Sequence, residues 1–105
     1  MKYKLGQNFL NDKKIAQREV EYANIESYDT VLEIGPGKGI LTKILAEKAK
    51  KIYAIEIDKK LINFLEKIVP KNVELIHANA VKFDFNKIFF NINLSNLPLK
   101  IFSKI

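Results

Sequence analysis

Four short segments carry residues whose types and spacing suit ligand chemistry. Gly35-Pro36-Gly37-Lys38-Gly39 follows an apolar run and opens a helical pattern. Glycine lets a backbone turn sharply and lets a ligand approach where a Cβ would clash. A dinucleotide fingerprint places its third glycine one residue later, where this chain has Ile40. The tighter G-x-G-x-G form suits the methionine portion of S-adenosylmethionine, which has no pyrophosphate to cradle. An ordinary glycine-rich turn is the competing reading of the loop taken alone. Glu56 follows the first loop glycine by roughly 20 residues, the distance at which an acidic residue reaches ribose hydroxyls, and its two oxygens can accept from both hydroxyls of a cis-diol. A capping or ion-paired surface glutamate is the alternative, opposed by the apolar run around it. Asn79, in His77-Ala78-Asn79-Ala80, can donate and accept as reading an adenine edge requires, or can simply make a turn. His77 reads as structural, because no catalytic partner accompanies it. In Ser95-Asn96-Leu97-Pro98-Leu99, an amide oxygen at Asn96 and a fixed backbone carbonyl at Pro98 form two acceptors that can converge on an exocyclic amine.

These segments need elements to hold them. Lys2 to Asn11 reads as an irregular arm, and Asp12 as the cap of a helix whose apolar stripe includes Ala16, Val20 and Ala23. Val31-Leu32-Glu33-Ile34 reads as a buried strand that runs into the glycine loop. Ile40, Leu41, Ile44, Leu45 and Ala49 share one helical face. Ile52 to Ile57 reads as a second strand, and Asp58 as the cap of a helix through Val69. Val73 to His77 predicts a third strand and Ile88 to Leu94 a fourth, with a new helix starting near the end of the chain. Strands alternating with helices of this length predict an α/β fold, a partial Rossmann-like parallel sheet of about four strands with flanking helices. Ligands of such sheets bind outside the carboxyl ends of the strands, where all four segments fall.

Composition sets the outer limits. The chain has 105 residues, a net charge of +6, 48% hydrophobic residues and no cysteine. Zero thiols exclude disulfides and Cys-ligated metals and suit a reducing cytoplasm, and a single histidine opposes a His-built metal site. The start lacks the apolar run of a signal peptide, and no stretch approaches a membrane span, so no membrane partner is expected. One domain is the ceiling for this length. The basic balance is compatible with nucleic acid, although a lysine-rich compositional bias explains it nearly as well.

With these residues in place, the chain resembles the rRNA adenine dimethyltransferases. The family transfers methyl groups from S-adenosylmethionine to N6 of adenines in small-subunit rRNA and includes related methylases of large-subunit rRNA. Leu5-Gly6-Gln7-Asn8-Phe9-Leu10 looks like its N-terminal arm, Val31 to Thr42 like its glycine loop and Ala54-Ile55-Glu56-Ile57-Asp58 like its ribose-binding strand end. The resemblance implies that Asn8, Leu10, Gly35, Gly37 and Gly39 line the cofactor's methionine side, Glu56 its ribose, Asn79 its adenine, and Asn96 the region shared by methyl donor and target. Asn96, Pro98 and Leu99 are the implied catalytic residues. Two positions depart from the pattern: Asn79 stands where the family usually has Asp, and Leu99 where it has a stacking Tyr or Phe. Phe102, three residues on, reads first as a core residue and second as a substitute platform. The implied mechanism is direct displacement, with the amine held in line by two acceptors and no metal. Residues 1–105 are expected to be the N-terminal part of a methyltransferase domain, without the remaining strands and the C-terminal RNA-binding domain. The expected partner is rRNA or a small-subunit precursor, with a second chain as a candidate for the missing half. A non-catalytic cofactor- or RNA-binding remnant that assists ribosome assembly is the alternative, and a nicotinamide oxidoreductase is opposed by Ile40.

Overall fold

A computed structural model of the chain describes residues 2–4, 13–89 and 99–103. The elements run β1 (Lys2–Lys4), α1 (Lys13–Tyr22), β2 (Thr30–Ile34), α2 (Ile40–Lys48), β3 (Lys51–Glu56), α3 (Lys59–Glu66), β4 (Val73–His77), α4 (Asn86–Phe89) and β5 (Leu99–Ser103). The strands form one sheet in the order β1-β5-β2-β3-β4, and every pairing is parallel.

Period-two alternation divides the sheet's side chains between two layers. Val31, Ile52 and Phe102 face α1 and α2, where they pack with Ala16, Val20, Leu41, Ile44 and Leu45. Leu32, Ile55 and Ile101 face the other way, beneath Phe83 and Phe85, whose rings meet edge to face at 5.4 Å. Strands buried on both sides read as continuous apolar runs, which is why their sequences look alike. The exception is Glu33, 2% exposed on the helical face, whose Oε1 accepts from the Thr42 hydroxyl of α2 at 2.6 Å. Asp58 ends β3 and begins α3 by accepting from the Lys60 N–H at 2.8 Å, as its position predicts.

Three expectations need correction. The arm is not wholly irregular: Lys2–Lys4 form a short edge strand paired with Ile101–Ser103. Ile88 and Phe89, expected in a fourth strand, belong to α4, because Asp84 Oδ1 accepts from the Asn86 N–H at 3.0 Å and starts a helical turn. The rest of that predicted strand, residues 90–94, lies outside the described residues. Leu99–Ser103, expected to begin a helix, instead forms β5 beside β2, with Thr30 opposite Leu99 and Ile34 opposite Ser103. Its alternating pattern decides this: Phe102 is fully buried on the helical face and Ile101 packs on the other. Phe102 is therefore a core residue.

Lys100 ties β5 to the turn after α1. Its ammonium donates to the Ala23 and Asn24 carbonyls at 2.9 and 2.6 Å and stands 3.2 Å from Asp29 Oδ2. Asp29 is 1% exposed, and its Oδ1 is a buried atom that finds no hydrogen-bond partner among the described residues.

Candidate cofactor site at the carboxyl edge

The register brings Ile34, Glu56 and His77 to one edge of the sheet, and the loops that leave this edge build the site. The glycine loop is first. Gly35, Gly37 and Gly39 have φ of 75°, 60° and 84°, the left-handed region that favours glycine. Gly35 N–H donates to the Ile55 carbonyl at 2.8 Å, which ties the loop to β3. At Gly39 space is limiting as well, because a Cβ would come within 2.8 Å of Leu65 Cδ2 in α3.

Glu56 is the hub of this edge. It is 6% exposed; Oε1 accepts from Gly37 N–H at 3.2 Å and Oε2 from Asp58 N–H at 3.0 Å. One carboxylate thus clasps the loops that follow β2 and β3. Each carboxylate oxygen has a second lone-pair direction, so the clasp leaves acceptor capacity for hydroxyl donors.

Beside Glu56 lies a cavity of about 420 Å³, in the range of small-molecule sites. Gly35 contributes bare backbone, Ile57, Ala78 and Ala80 an apolar wall, and Asn79 an amide. Asn79 Oδ1 accepts from Val81 N–H at 3.0 Å, so its carbonyl also shapes the turn after β4. His77 Nε2 lies 3.0 Å from the Ile57 carbonyl, and the tautomer protonated there pins the two loops together. That is the structural role its sequence context suggested. Among the described residues no three side chains cluster as metal ligands, and no helix is long and apolar enough to cross a membrane.

The structure therefore gathers Gly35, Glu56 and Asn79 around one cavity, with Gly37 bonded to Glu56 and Gly39 closing the loop onto α2. Asn8, Leu10, Asn96 and Pro98 lie outside the described residues. Of Leu99 only the backbone is described. Its backbone pairs opposite Thr30 at the amino end of β2, about 13 Å of strand from the carboxyl edge. Of the lining residues, only Gly35, Glu56 and Asn79 have a ligand role assigned from sequence. Asp58 is a cap and Ile57 a strand residue by local pattern, yet both line the cavity, and Ile57 is 63% exposed there. An apolar residue just past the strand's last polar one was the available signal.

Comparison with known proteins places the chain among methyltransferases. The family model for ribosomal RNA adenine dimethylase matches residues 1–105. A probable ribosomal RNA small subunit methyltransferase A of Methanococcus aeolicus is 50% identical over 104 residues, covering 97% of this chain and 38% of that protein. A ribosomal RNA small subunit methyltransferase A of Clostridium botulinum is 46% identical over 100 residues, covering 90% of this chain and 36% of that protein. Among solved structures, a dimethyladenosine transferase from Plasmodium falciparum aligns with a TM-score of 0.66 and 36% identity over 70% of this chain and 28% of its own. The 23S rRNA methyltransferase ErmE aligns with a TM-score of 0.63 and 34% identity over 73% of this chain and 32% of its own. The chain thus spans less than two fifths of the length of these curated relatives.

Proposed function

The chain belongs to the ribosomal RNA adenine dimethylase family, and on that premise we propose that it carries the cofactor half of an S-adenosylmethionine-dependent methyltransferase acting on adenine N6 in small-subunit rRNA. The observation that carries this reading is the junction of glycine loop, Glu56 and Asn79 around one cavity. Its residues suit a nucleoside bearing an amino-acid tail: bare glycine backbone for the tail, a carboxylate for the ribose diol, and an apolar wall with an amide for adenine. Glu56 would accept from the ribose hydroxyls while continuing to hold Gly37 and Asp58. Asn79 would meet the adenine edge with its amide. Asn8 and Leu10 of the arm would complete the methionine side.

When bound, the cofactor supplies a methyl group on a sulfonium, which needs no metal or covalent enzyme intermediate for transfer. The protein's work is then positioning. Asn96 and the Pro98 carbonyl would accept the two N–H bonds of the target amine and fix its lone pair, with Asn96 also bordering the cofactor. This part rests on the Asn96-Leu97-Pro98 motif. Leu99 follows this motif directly and would cover the target base without an aromatic face. An adenine turned out of its stack or presented in an RNA loop would meet these acceptors. The partner is the small-subunit rRNA or its precursor, in the cytoplasm, and a further chain or segment would supply the additional RNA contacts.

Transfer of labelled methyl from S-adenosylmethionine to small ribosomal subunits tests the reading. Incorporation at adenine by the intact protein, lost in Asn96→Ala while cofactor binding persists, is the expected outcome. Unchanged transfer by Asn96→Ala would remove that residue from the active site.

A further inference from the structure

The side chains that line the cavity divide by hydrogen-bonding character. Glu56 and Asp58 bring carboxylates, whose oxygens accept. Glu56 already receives the N–H groups of Gly37 and Asp58, and Asp58 receives that of Lys60. The rest of the lining is aliphatic, apart from bare Gly35 and the amide of Asn79. Asn79 is therefore the one described lining residue whose side chain can donate an N–H. It stands between Ala78 and Ala80, so its immediate neighbours in the turn bring only methyl groups.

The turn also fixes which way this amide faces. Asn79 Oδ1 accepts from Val81 N–H at 3.0 Å, and the reversed amide would set Nδ2 against that donor. Among the described residues Nδ2 has no hydrogen-bond partner. Oδ1 has a second lone pair, so it keeps an acceptor direction after the Val81 bond. The half-buried amide thus offers a ligand both N–H donors and an acceptor without leaving its place in the turn. An amide held in this way has a partner for either kind of purine 6-substituent. Oδ1 can accept from an amino group, and Nδ2 can donate to a carbonyl oxygen. A carboxylate in the same place would accept from the amine but oppose the carbonyl, acceptor against acceptor, and leave both without a donor.

We propose that Asn79 sets the base specificity of this site, and that the site takes up its cofactor with little distinction between a 6-aminopurine and a 6-oxopurine nucleoside. The inference rests on the S-adenosylmethionine reading and deepens it by naming the class of base the cavity accepts. Glu56 meets the ribose hydroxyls of either compound, and Ile57, Ala78 and Ala80 cover either ring, because the two bases share shape and apolar faces. They differ in the exocyclic atom, a donor in one and an acceptor in the other. Asn79 carries the complement of each.

The test is calorimetric titration of the intact protein with S-adenosylhomocysteine and with its 6-oxo counterpart, S-inosylhomocysteine. The wild type should bind the two with dissociation constants within about threefold of each other, because one neutral hydrogen bond replaces another of like strength. Asn79→Asp keeps the acceptor for Val81 N–H, and with it the turn, but exchanges the amide donors for a second acceptor. It should favour the 6-amino compound by about tenfold or more, since a polar group left facing its like is rejected. Asn79→Ala removes donor and acceptor together, so it should weaken both compounds and keep their ratio near that of the wild type. Melting curves check that the variants fold, and if Asn79→Ala does not, the aspartate variant alone decides. A wild type that favours the 6-amino compound by about tenfold or more, or an Asn79→Asp variant that keeps the wild-type ratio, would overturn the inference and leave the cofactor reading in place. A folded wild type that binds neither compound would overturn the cofactor reading, and the inference with it.

Discussion

At the scale of single residues, the site depends on one carboxylate and three backbone positions. Gly39 has φ of 84° and Leu65 Cδ2 2.8 Å from where a Cβ would lie, so Gly39→Ala combines strain with a clash. We expect a loss of about 2–3 kcal/mol in urea unfolding, with weakened cofactor binding because the loop cannot close as it does here. Asn79→Asp should act in the opposite direction. A carboxylate can still accept from Val81 N–H and would make a charge-assisted bond to an adenine amino group, so calorimetry should find S-adenosylmethionine bound several-fold more tightly. Glu56 and the glycine loop were legible in the sequence because their spacing is a chemical constraint. What Glu56 does without ligand was not, because its acceptance from Gly37 and Asp58 depends on how two loops converge in space.

At the scale of elements, the strands and helices that frame the cavity follow their apolar periodicity, and β4 falls on the residues its pattern predicts. The misreadings cluster where local chemistry competes with pattern. Ile88 and Phe89 have strand-forming side chains, yet the Asp84 cap draws them into α4. Leu99–Ser103 looked like the start of a helix after Pro98, yet the central place beside β2 buries Phe102 on one face and packs a half-buried Ile101 on the other. Lys100 holds that strand through Asp29. Lys100→Met should therefore cost about 3–5 kcal/mol by denaturant unfolding, because it strands a carboxylate that is 1% exposed, and adding Asp29→Asn should recover part of the loss. On β3, burial first and the nearby Glu74 carboxylate second raise the Tyr53 pKa above its ordinary value of 10.0. The folded state then holds the phenol proton more tightly than the unfolded chain. That contribution is complete below pH 10 and is lost as pH rises through the folded-state value, so Tyr53→Phe should flatten the alkaline fall in stability seen in pH-dependent melts.

At the scale of the whole molecule, a net charge of +6 is a weak signal, because a bulk number does not say where the charge sits. The parallel sheet places helix first turns, the glycine loop and the cavity on one edge. Fold class and the edge that carries the cavity were legible because a βαβ alternation fixes which ends of the strands carry the loops that build it. Titration of S-adenosylmethionine into the chain by calorimetry tests the central claim most directly. The expected result is binding at one site per chain, weakened at least tenfold in Glu56→Gln, which removes a charged acceptor and leaves the fold intact by circular dichroism. A folded wild-type chain that takes up no S-adenosylmethionine, or a Glu56→Gln variant that binds it as tightly as the wild type, would contradict the account.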